Sequence, residues 1–517
     1  MHLEDCKMTN QRIKLCTKKC TAFLLILLFF QTSLANLIYD TNIGTSYGSL
    51  PVPANWLNLE NQQSTKEIVK TEISFALYTA DWSSSIVTKY SGWWGVPANP
   101  AENVFYLSED IPPFINIVLD YEIGNFSLYL ELPFEKEYRN KLVTLSDHNN
   151  LPFNILNPFD MSKLSVDLNF PRVGYIYYAD DSLYLSIGRF PLKWGDAKYP
   201  VHISPTTYQD NLTFMLRFPT MTYTFHAIAS YPLLSPQEYE IQKNYSDQHT
   251  SGRYFYEPSK YIIAHRFDFY TNIGDVKTRF GLGELNVVGG KHLDLIDINP
   301  ILIFHNTYGE GYRNVTGSLD FSILWNSLKI YGEYVLDDVV GPTETGSGYK
   351  PGASSYNIGA QYDFGEFSIW AEYDEIGEWM YVTNYLPYLR INVRHFDLEN
   401  NPGGRFMFDY PLGFIYGPDA KMFSVGLNGK IQDVNFEIVY NMLTKGLVDD
   451  NGTIRWKWFW DSWPGNVSEA GASTPEKAGE KTYNLLSMKA NWKNVTLLYK
   501  TIDFEKYFIS AQVSYNF

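Results

Sequence analysis

The sequence predicts a transmembrane antiparallel β-barrel of about eighteen strands. Three observations carry this: a last strand with two chemical faces, the lack of any spanning helix after residue 35, and tight turns whose parity matches a set of long connections. In the final segment Tyr507, Ile509, Ala511, Val513, Tyr515 and Phe517 fall on one side, and Lys506, Ser510, Gln512, Ser514 and Asn516 on the other. Only Phe508 breaks the alternation. One face suits lipid and the other water, and the chain stops on an aromatic residue, as outer-membrane barrels do. A soluble sandwich can also finish on an amphipathic strand, so the other observations decide.

At the amino end Arg12, Lys14, Lys18 and Lys19 precede an apolar run from Ala22 to Phe30, followed by Ser33-Leu34-Ala35. This is the order of a secretory signal peptide, and cleavage is expected after Ala35. Cys6, Cys16 and Cys20, all three of the cysteines, lie in that segment, so no disulfide framework is expected in the mature chain. Cys20 stands before the apolar run rather than after it, which argues against a lipid anchor. Beyond Ala35 no stretch has the roughly 18 uncharged apolar residues that a spanning helix needs, and a closed barrel is the remaining way to satisfy a spanning backbone.

Removing five Lys/Arg with two Asp/Glu takes the net charge from −16 to −19. Such acidity argues against nucleic acid and anionic lipid headgroups as partners. The 40 Tyr, 33 Phe and 13 Trp would supply two interfacial girdles around a wide barrel.

Strands are expected to start near residues 71, 113, 126, 173, 183, 211, 221, 260, 277, 315, 327, 354, 367, 420, 434, 482, 494 and 506. With Phe517 periplasmic, the inner connections fall at Lys493-Asn494, Gln432-Asp433, Gly365-Glu366, Asn326-Ser327, Asn272 to Asp275, Pro219-Thr220, Asp180-Asp181 and Gly124-Asn125. All are tight. The long stretches 79–112, 135–172, 191–210, 231–259, 286–314, 338–353, 377–419 and 446–481 all fall outside.

Individual strands show a charged, wet lumen. Leu328, Ile330, Tyr334 and Leu336 alternate with Lys329, Glu333 and Asp337, and Ile115, Ile117, Leu119, Tyr121 and Ile123 alternate with Asn116, Asp120 and Glu122. Arg266, Asp268, Lys277 and Arg279, from one hairpin, are expected to point inward together, either as a salt-bridge network or as a selectivity element. Residues 36–70 precede the barrel (71–517) and form either a helical periplasmic plug, through Pro53 to Leu57 and Glu60 to Val69, or a loose leader. Ser91-Gly92-Trp93-Trp94-Gly95-Val96-Pro97 reads as an outer turn with aromatic faces that line the pore or join the girdle.

An ordered series of short motifs adds a resemblance. Gly188-Arg189 with Trp194-Gly195, then His265-Arg266, Gly281-Leu282-Gly283-Glu284, Gly289-Gly290-Lys291, Leu293-Asp294-Leu295 and Asn299-Pro300 resembles the pattern of the capsule assembly Wzi family. Tyr410 to Phe414 and Gly417 to Ala420 resemble that family's outer loop before a late strand. The match covers roughly residues 170–430. The resemblance implies an eighteen-stranded barrel, blocked by periplasmic helices and folded-in outer loops, that anchors capsular polysaccharide and has no catalytic activity.

At the outer rim Glu284 is expected to accept loop N–H bonds and hold the loop over the pore, while Asn299, before a proline, caps nearby backbone. Scaffolding is the preferred role of both over sugar contact. The expected glycan-binding surface is Trp456-Lys457-Trp458-Phe459-Trp460 with Trp463. Trp456, Trp458 and Trp460 share a face of an extended segment, and Arg455, Lys457 and Asp461 lie within reach of hydroxyls or carboxylates. An outer girdle is the competing reading of these rings.

Enzyme signatures are absent: no G-x-S-x-G, no H-E-x-x-H and no P-loop. Asp147-His148 lacks identifiable acidic partners, and His292, Asp294, Asp297 and His305 fit no standard metal spacing. No cofactor or metal is expected. The sequence therefore points to a monomeric outer-membrane barrel that holds surface polysaccharide and reaches the membrane through the barrel-assembly machinery at Phe517. A sugar-selective diffusion porin is the alternative.

Overall fold

The computed structural model describes residues 68–80, 88–91, 94–97, 115–135, 147–148, 165–166, 173–205, 208–229, 260–289, 295, 297–301, 313–339, 352–381, 390–397, 404–450, 453–456 and 477–517. Eighteen antiparallel strands close into one ring. They are β1 (Ile68–Ala80), β2 (Ile115–Ile123), β3 (Phe126–Glu135), β4 (Val173–Ala179), β5 (Leu183–Pro191), β6 (Tyr208–Phe218), β7 (Met221–Ala229), β8 (Lys260–Ile273) and β9 (Val276–Gly289). The second half comprises β10 (Arg313–Trp325), β11 (Leu328–Asp338), β12 (Ala353–Phe364), β13 (Phe367–Ile376), β14 (Ala420–Ile431), β15 (Val434–Asp450), β16 (Lys477–Trp492), β17 (Val495–Ile502) and β18 (Lys506–Asn516). Each pairs with its chain neighbour, and β18 closes on β1 from Glu72↔Asn516 to Ala80↔Phe508. Closure removes the unpaired edges that hydrocarbon cannot hydrogen-bond.

The inner turns sit where the sequence placed them, and their backbone explains their length. Gly124, Gly274 and Gly365 have positive φ, as do Asn326, Gln432 and Lys493, each at the first position of a two-residue connection. Positive φ at that position matches the twist of the flanking strands. Phe218, Trp325, Phe364 and Trp492 immediately precede four of these turns and face outward, forming an aromatic girdle at the inner interface.

Alternation sorts the wall into two faces. Outward rows such as Phe75 and Leu77, Leu185 and Ile187, or Phe280 and Leu282 are exposed, whereas inward Ser74, Ser186, Arg279, Asp320 and Glu372 are buried. An exterior of apolar side chains on a closed ring of strands is the surface of a barrel that spans a membrane. Phe508, the exception in the last strand, is inward and fully buried in an apolar cluster inside the bore with Leu485, Leu498 and Ile502.

Two short strands extend the ring: Ser165–Val166 beside β3 and Thr453–Trp456 beside β15. A second sheet joins Arg390–Asp397, Gly404–Pro411, Trp94–Pro97, Thr88–Ser91 and Asp147–His148. Asp147-His148 is thus a backbone bridge to Thr88 and Lys89. Among the described residues there is no helix, and none is long and apolar enough to cross a membrane. The predicted signal peptide and residues 36–67 of the expected 36–70 segment lie outside the described residues, and its last three residues belong to β1, which begins at Ile68 rather than at 71.

Candidate functional site

The feature that sets the character of this barrel is the connection after β5. Residues 192–205 turn inward and cross the bore instead of standing above it. Trp194 Nε1 donates to His226 Nε2 on β7 at 3.3 Å, and Asp196 meets Arg279 of β9 at 3.3 Å and Lys329 of β11 at 3.0 Å. Farther round the ring, Lys198 N and Tyr199 N donate to Glu372 of β13 at 2.7 and 2.8 Å. Val201 N and His202 N donate to Glu333 of β11 at 2.8 and 3.2 Å. Asn441 Nδ2 of β15 donates to the Tyr199 hydroxyl at 2.7 Å. β6 and β15 stand half the ring apart, so the segment spans the diameter.

Chemistry explains why these partners are used. A non-repeating segment carries backbone N–H groups that must be satisfied wherever they are buried. Glu333 and Glu372 each accept two of them, one per carboxylate oxygen, and so convert inward charges on the wall into clamps. Apolar side chains complete the seat. Leu192, Trp194, Val201 and Ile203 pack with Met380, Tyr381, Leu412, Phe414 and Tyr416 from the connections on either side of the outer sheet. Tyr381 ties the three segments together, its hydroxyl donating to Val201 O at 2.6 Å and accepting from Phe414 N at 2.9 Å. Ser204 Oγ donates to Gly413 O at 2.5 Å.

Beneath Trp194 lies a buried ion network. Arg266 contacts Asp268 and Asp320 at 2.7 Å each, and Arg279 contacts the same two carboxylates at 3.0 and 2.5 Å. The Arg266 guanidinium lies under the Trp194 ring, 5.4 Å from its centroid. Three of the four inward charges expected from this hairpin, Arg266, Asp268 and Arg279, therefore meet in one salt-bridge network with Asp320.

His226 is fixed in one tautomer by its neighbours. An indole N–H only donates, so His226 Nε2 accepts and its Nδ1 carries the proton toward Thr213 Oγ1 at 2.7 Å. His202 in the crossing segment bonds Ser318 and Thr316 at 2.8 Å through its two nitrogens. Burial, reinforced by Arg266, pushes its pKa down to about 3. In the same segment burial, then Lys198, lowers Lys193 to about 8. Asp196 is held below the usual carboxylate range because Arg279 and Lys329 outweigh its burial.

The motif residues acquire physical reasons. Gly283 is inward and directly under Trp194, where a Cβ would come within 2.6 Å of the ring; at Gly281 a Cβ would strike Arg266 and Asp320 at 2.3 Å. Gly188, at φ +150°, leaves room for the Tyr175 backbone. Gly195 turns the segment at φ +73° above Asp320. Arg189 faces outward in a bidentate pair with Asp210 at 2.8 Å. The expectation that Glu284 holds a loop over the pore is corrected. It follows inward Gly283, so it faces the exterior, opposite His265, and is nonetheless only 3 % exposed. On this outer wall the Tyr223 hydroxyl bonds His265 Nδ1 at 2.8 Å and the Pro300 carbonyl, so the Asn299-Pro300 turn folds down the outside of the barrel. Asn299 Oδ1 accepts from Ile301 N at 3.1 Å, the local capping expected of it.

Of the glycan candidates, Arg455 and Trp456 lie in the short strand Thr453–Trp456, opposite Val448 and Leu447. Lys457, Trp458, Trp460 and Trp463 lie outside the described residues, as do Asp294, His292 and His305. Among the described residues no three acidic, histidine or cysteine side chains converge on a metal position. The resemblance implied folded-in outer loops, but sequence reasoning did not single out residues 192–205 as the segment that crosses. Its one visible signal was the pair of inward glycines, Gly281 and Gly283, since glycine within a strand marks close approach of another segment.

No protein-family model matches the chain, and no curated relative does. Among solved structures it is similar to Wzi of Escherichia coli, described as an outer-membrane protein involved in group 1 capsule assembly and a carbohydrate-binding β-barrel. That similarity stands at 13 % identity and a TM-score of 0.44, covering 86 % of this chain and 84 % of the other. It is also similar to two Pseudomonas aeruginosa proteins. OccK10 (OpdN) matches at 9 % identity and TM-score 0.40 over 87 % and 99 % of the two chains, and OprD at 9 % and 0.37 over 89 % and 98 %. On its own closed ring, apolar exterior and inner aromatic girdle, the chain is an eighteen-stranded β-barrel of the bacterial outer membrane.

Proposed function

We propose that this chain is a non-catalytic outer-membrane barrel that retains capsular or other extracellular polysaccharide at the cell surface. Its bore is filled by its own outer connections. The observation that carries this reading is the 192–205 segment, which reaches from the β5 end to Asn441 on the opposite wall and is seated on Glu333 and Glu372. A strut across the diameter narrows the path that a solute-passing barrel keeps open. Its partners on this reading are membrane lipid, surface glycan and, through Phe517, the barrel-assembly machinery, and it acts as a monomer. The glycan surface is Arg455 to Trp463, with Trp456, Trp458 and Trp460 stacking on sugar faces.

One observation favours a sugar-selective porin instead. Tyr129 and Tyr175 stack on the inner wall with centroids 5.0 Å apart and planes 8° apart, and Tyr177 continues the row at 6.2 Å. Current across a planar bilayer separates the two. A silent barrel whose Trp458→Ala/Trp460→Ala variant sheds polysaccharide supports retention. Steady current blocked by small sugars supports the porin.

A further inference from the structure

A cavity opens on the outside of the wall rather than into the bore. One outward row runs across five neighbouring strands: Tyr356 of β12 opposes Glu375 of β13, which opposes Lys421 of β14, then Thr444 of β15 and Thr482 of β16. Alternation fixes the side, because inward Asp374 precedes Glu375 and inward Lys445 follows Thr444. The Tyr356 and Tyr373 hydroxyls donate to Glu375 Oε2 at 2.8 and 3.2 Å, and Lys421 Nζ stands 3.7 Å from Glu375 Oε1. From this row to the outer rim lies a cavity of about 300 Å³ that reaches Ser354, Asp419 and Glu480. Its floor is tied down by two backbone bonds, Asp419 N to Gly377 O at 3.2 Å and Gly446 N to Asp419 O at 3.0 Å. The Asp419 carboxylate lies over Gly446, where any side chain would collide with it. One row below, the wall turns apolar: Ile358, Tyr373, Phe423 and Met442 oppose one another, and Ile358, Phe423 and Met442 are exposed. On β12 Tyr356 stands eight residues from Phe364 of the inner girdle. That is about 26 Å along the strand and roughly 20 Å along the membrane normal at a tilt near 40°, close to the height of an apolar band. The polar row therefore marks the outer interface, and the cavity stands at the level of the lipid headgroups.

The cavity joins two environments, and a ligand that fits it must do the same. Toward the rim it offers acceptors, since no donor among the described residues reaches the carboxylates of Asp419 or Glu480. The half-exposed Lys421 ammonium and the Ser354 and Thr444 hydroxyls add donors, and the exposed Tyr356 ring adds a flat apolar face. A sugar ring matches this mixture, with hydroxyls that both donate and accept around an apolar face. A phosphate or a uronate does not, because Glu375, Glu378, Asp419 and Glu480 stand against Lys421 in the lining. Toward the inner side, the exposed lane of Ile358, Phe423 and Met442 suits an acyl chain. We propose that this cavity binds the sugar headgroup of an uncharged glycolipid of the outer leaflet, whose acyl chain lies along the lane on β12 to β15. The site is on the lipid side of the wall, so it stands whether the barrel retains polysaccharide or passes sugars.

The test is native mass spectrometry of the full mature chain in a sugar-free polyoxyethylene detergent, with a chelator present so that no metal ion bridges a phosphate. The probes are monoglucosyl diacylglycerol, diacylglycerol with the same chains, and phosphatidylglycerol. The wild type is expected to retain one monoglucosyl diacylglycerol at a concentration about tenfold below that needed for either of the others, the effect of one hydrogen bond to a charged group. Thr444→Trp fills the cavity from the lipid side and should erase this preference while the barrel stays heat-modifiable on gels. Glu375→Ala with Glu480→Ala removes acceptors without adding bulk, and decides the matter if Thr444→Trp does not fold. Equal retention of glycolipid and diacylglycerol by the wild type overturns the proposal, as does a preference that survives in a folded variant. Tighter retention of phosphatidylglycerol marks a phosphate site and overturns it too. Maltose separates the sources of sugar: a glycolipid that stays bound in excess maltose supports the headgroup assignment, and displacement by an equal concentration of maltose overturns it in favour of a free saccharide.

Discussion

Replacing the two clamping carboxylates by amides, Glu333→Gln with Glu372→Gln, should unseat the crossing segment while leaving the barrel closed. The four backbone N–H bonds from the crossing segment to these groups are 2.7, 2.8, 2.8 and 3.2 Å long. Hydrogen bonds to a charged group contribute about 1.5–3 kcal/mol each. A glutamine offers one acceptor oxygen where glutamate offers two, so at least two of the four bonds are lost. The change is therefore roughly 3–6 kcal/mol, which shifts the seated-to-unseated ratio by about two to four orders of magnitude at 1.4 kcal/mol per tenfold. The assay is single-channel recording in a planar bilayer. The wild type should be silent and the double variant should show openings, with both running as heat-modifiable barrels on gels. Frequent openings of the wild type, or a silent double variant, would refute the claim that these carboxylates hold the bore shut.

Three further outcomes are expected. Asp320→Ala leaves Arg266 and Arg279 buried with one acceptor fewer, and breaking such a network costs about 3–5 kcal/mol; an unfolding midpoint equal to that of the wild type would contradict the network's role. Gly283→Ala puts a methyl 2.6 Å from the Trp194 ring and should displace the indole toward water, with red-shifted emission. Combined with Trp194→Ala, the loss should be smaller than the sum of the two single losses, and additive losses would count against the contact. His202 is held neutral down to about pH 3 in the fold but titrates near 6.5 when unfolded, so the unfolded chain binds more protons between those values. Its contribution to stability is complete above pH 6.5 and is lost as pH falls toward 3, by up to about 1.4 kcal/mol per unit. His202→Gln should show a smaller drop in unfolding midpoint between pH 7.5 and pH 5, whereas an equal drop would place the effect elsewhere.

The wall of the barrel was legible from sequence and its contents were not, for a physical reason. A strand with lipid on one side and water or protein on the other records both faces in consecutive residues, so β18 or β11 can be read alone. Turn parity adds a global check, because Gln432 and Lys493 at positive φ are recognisable as turns only by their position between two such strands. Residues 192–205 carry no period, since every partner is on another element: Glu333 is 132 residues from Val201 and Asn441 is 242 from Tyr199. Glu333 and Glu372 were readable as inward charges, but nothing local says that a carboxylate will accept backbone amides from that distance. Motif matching located Trp194, Gly283 and Arg266 separately, and the structure shows them as one stack: glycine, indole and guanidinium. For Glu284 the same motif misled, since neighbouring residues in a strand face opposite sides of the wall.

The strut also bears on the order of events during biogenesis. A segment anchored at His226 on β7 and at Asn441 on β15 has no complete binding site until the strands from β7 to β15 have paired and curved. Contacts this remote in sequence carry a larger loop-closure cost than the hairpins and form after them. Seating of Trp194 beside His226 therefore follows the pairing of that half of the wall, and its fluorescence would serve as a clock for that step, separating walls that are merely zipped from those that hold their strut.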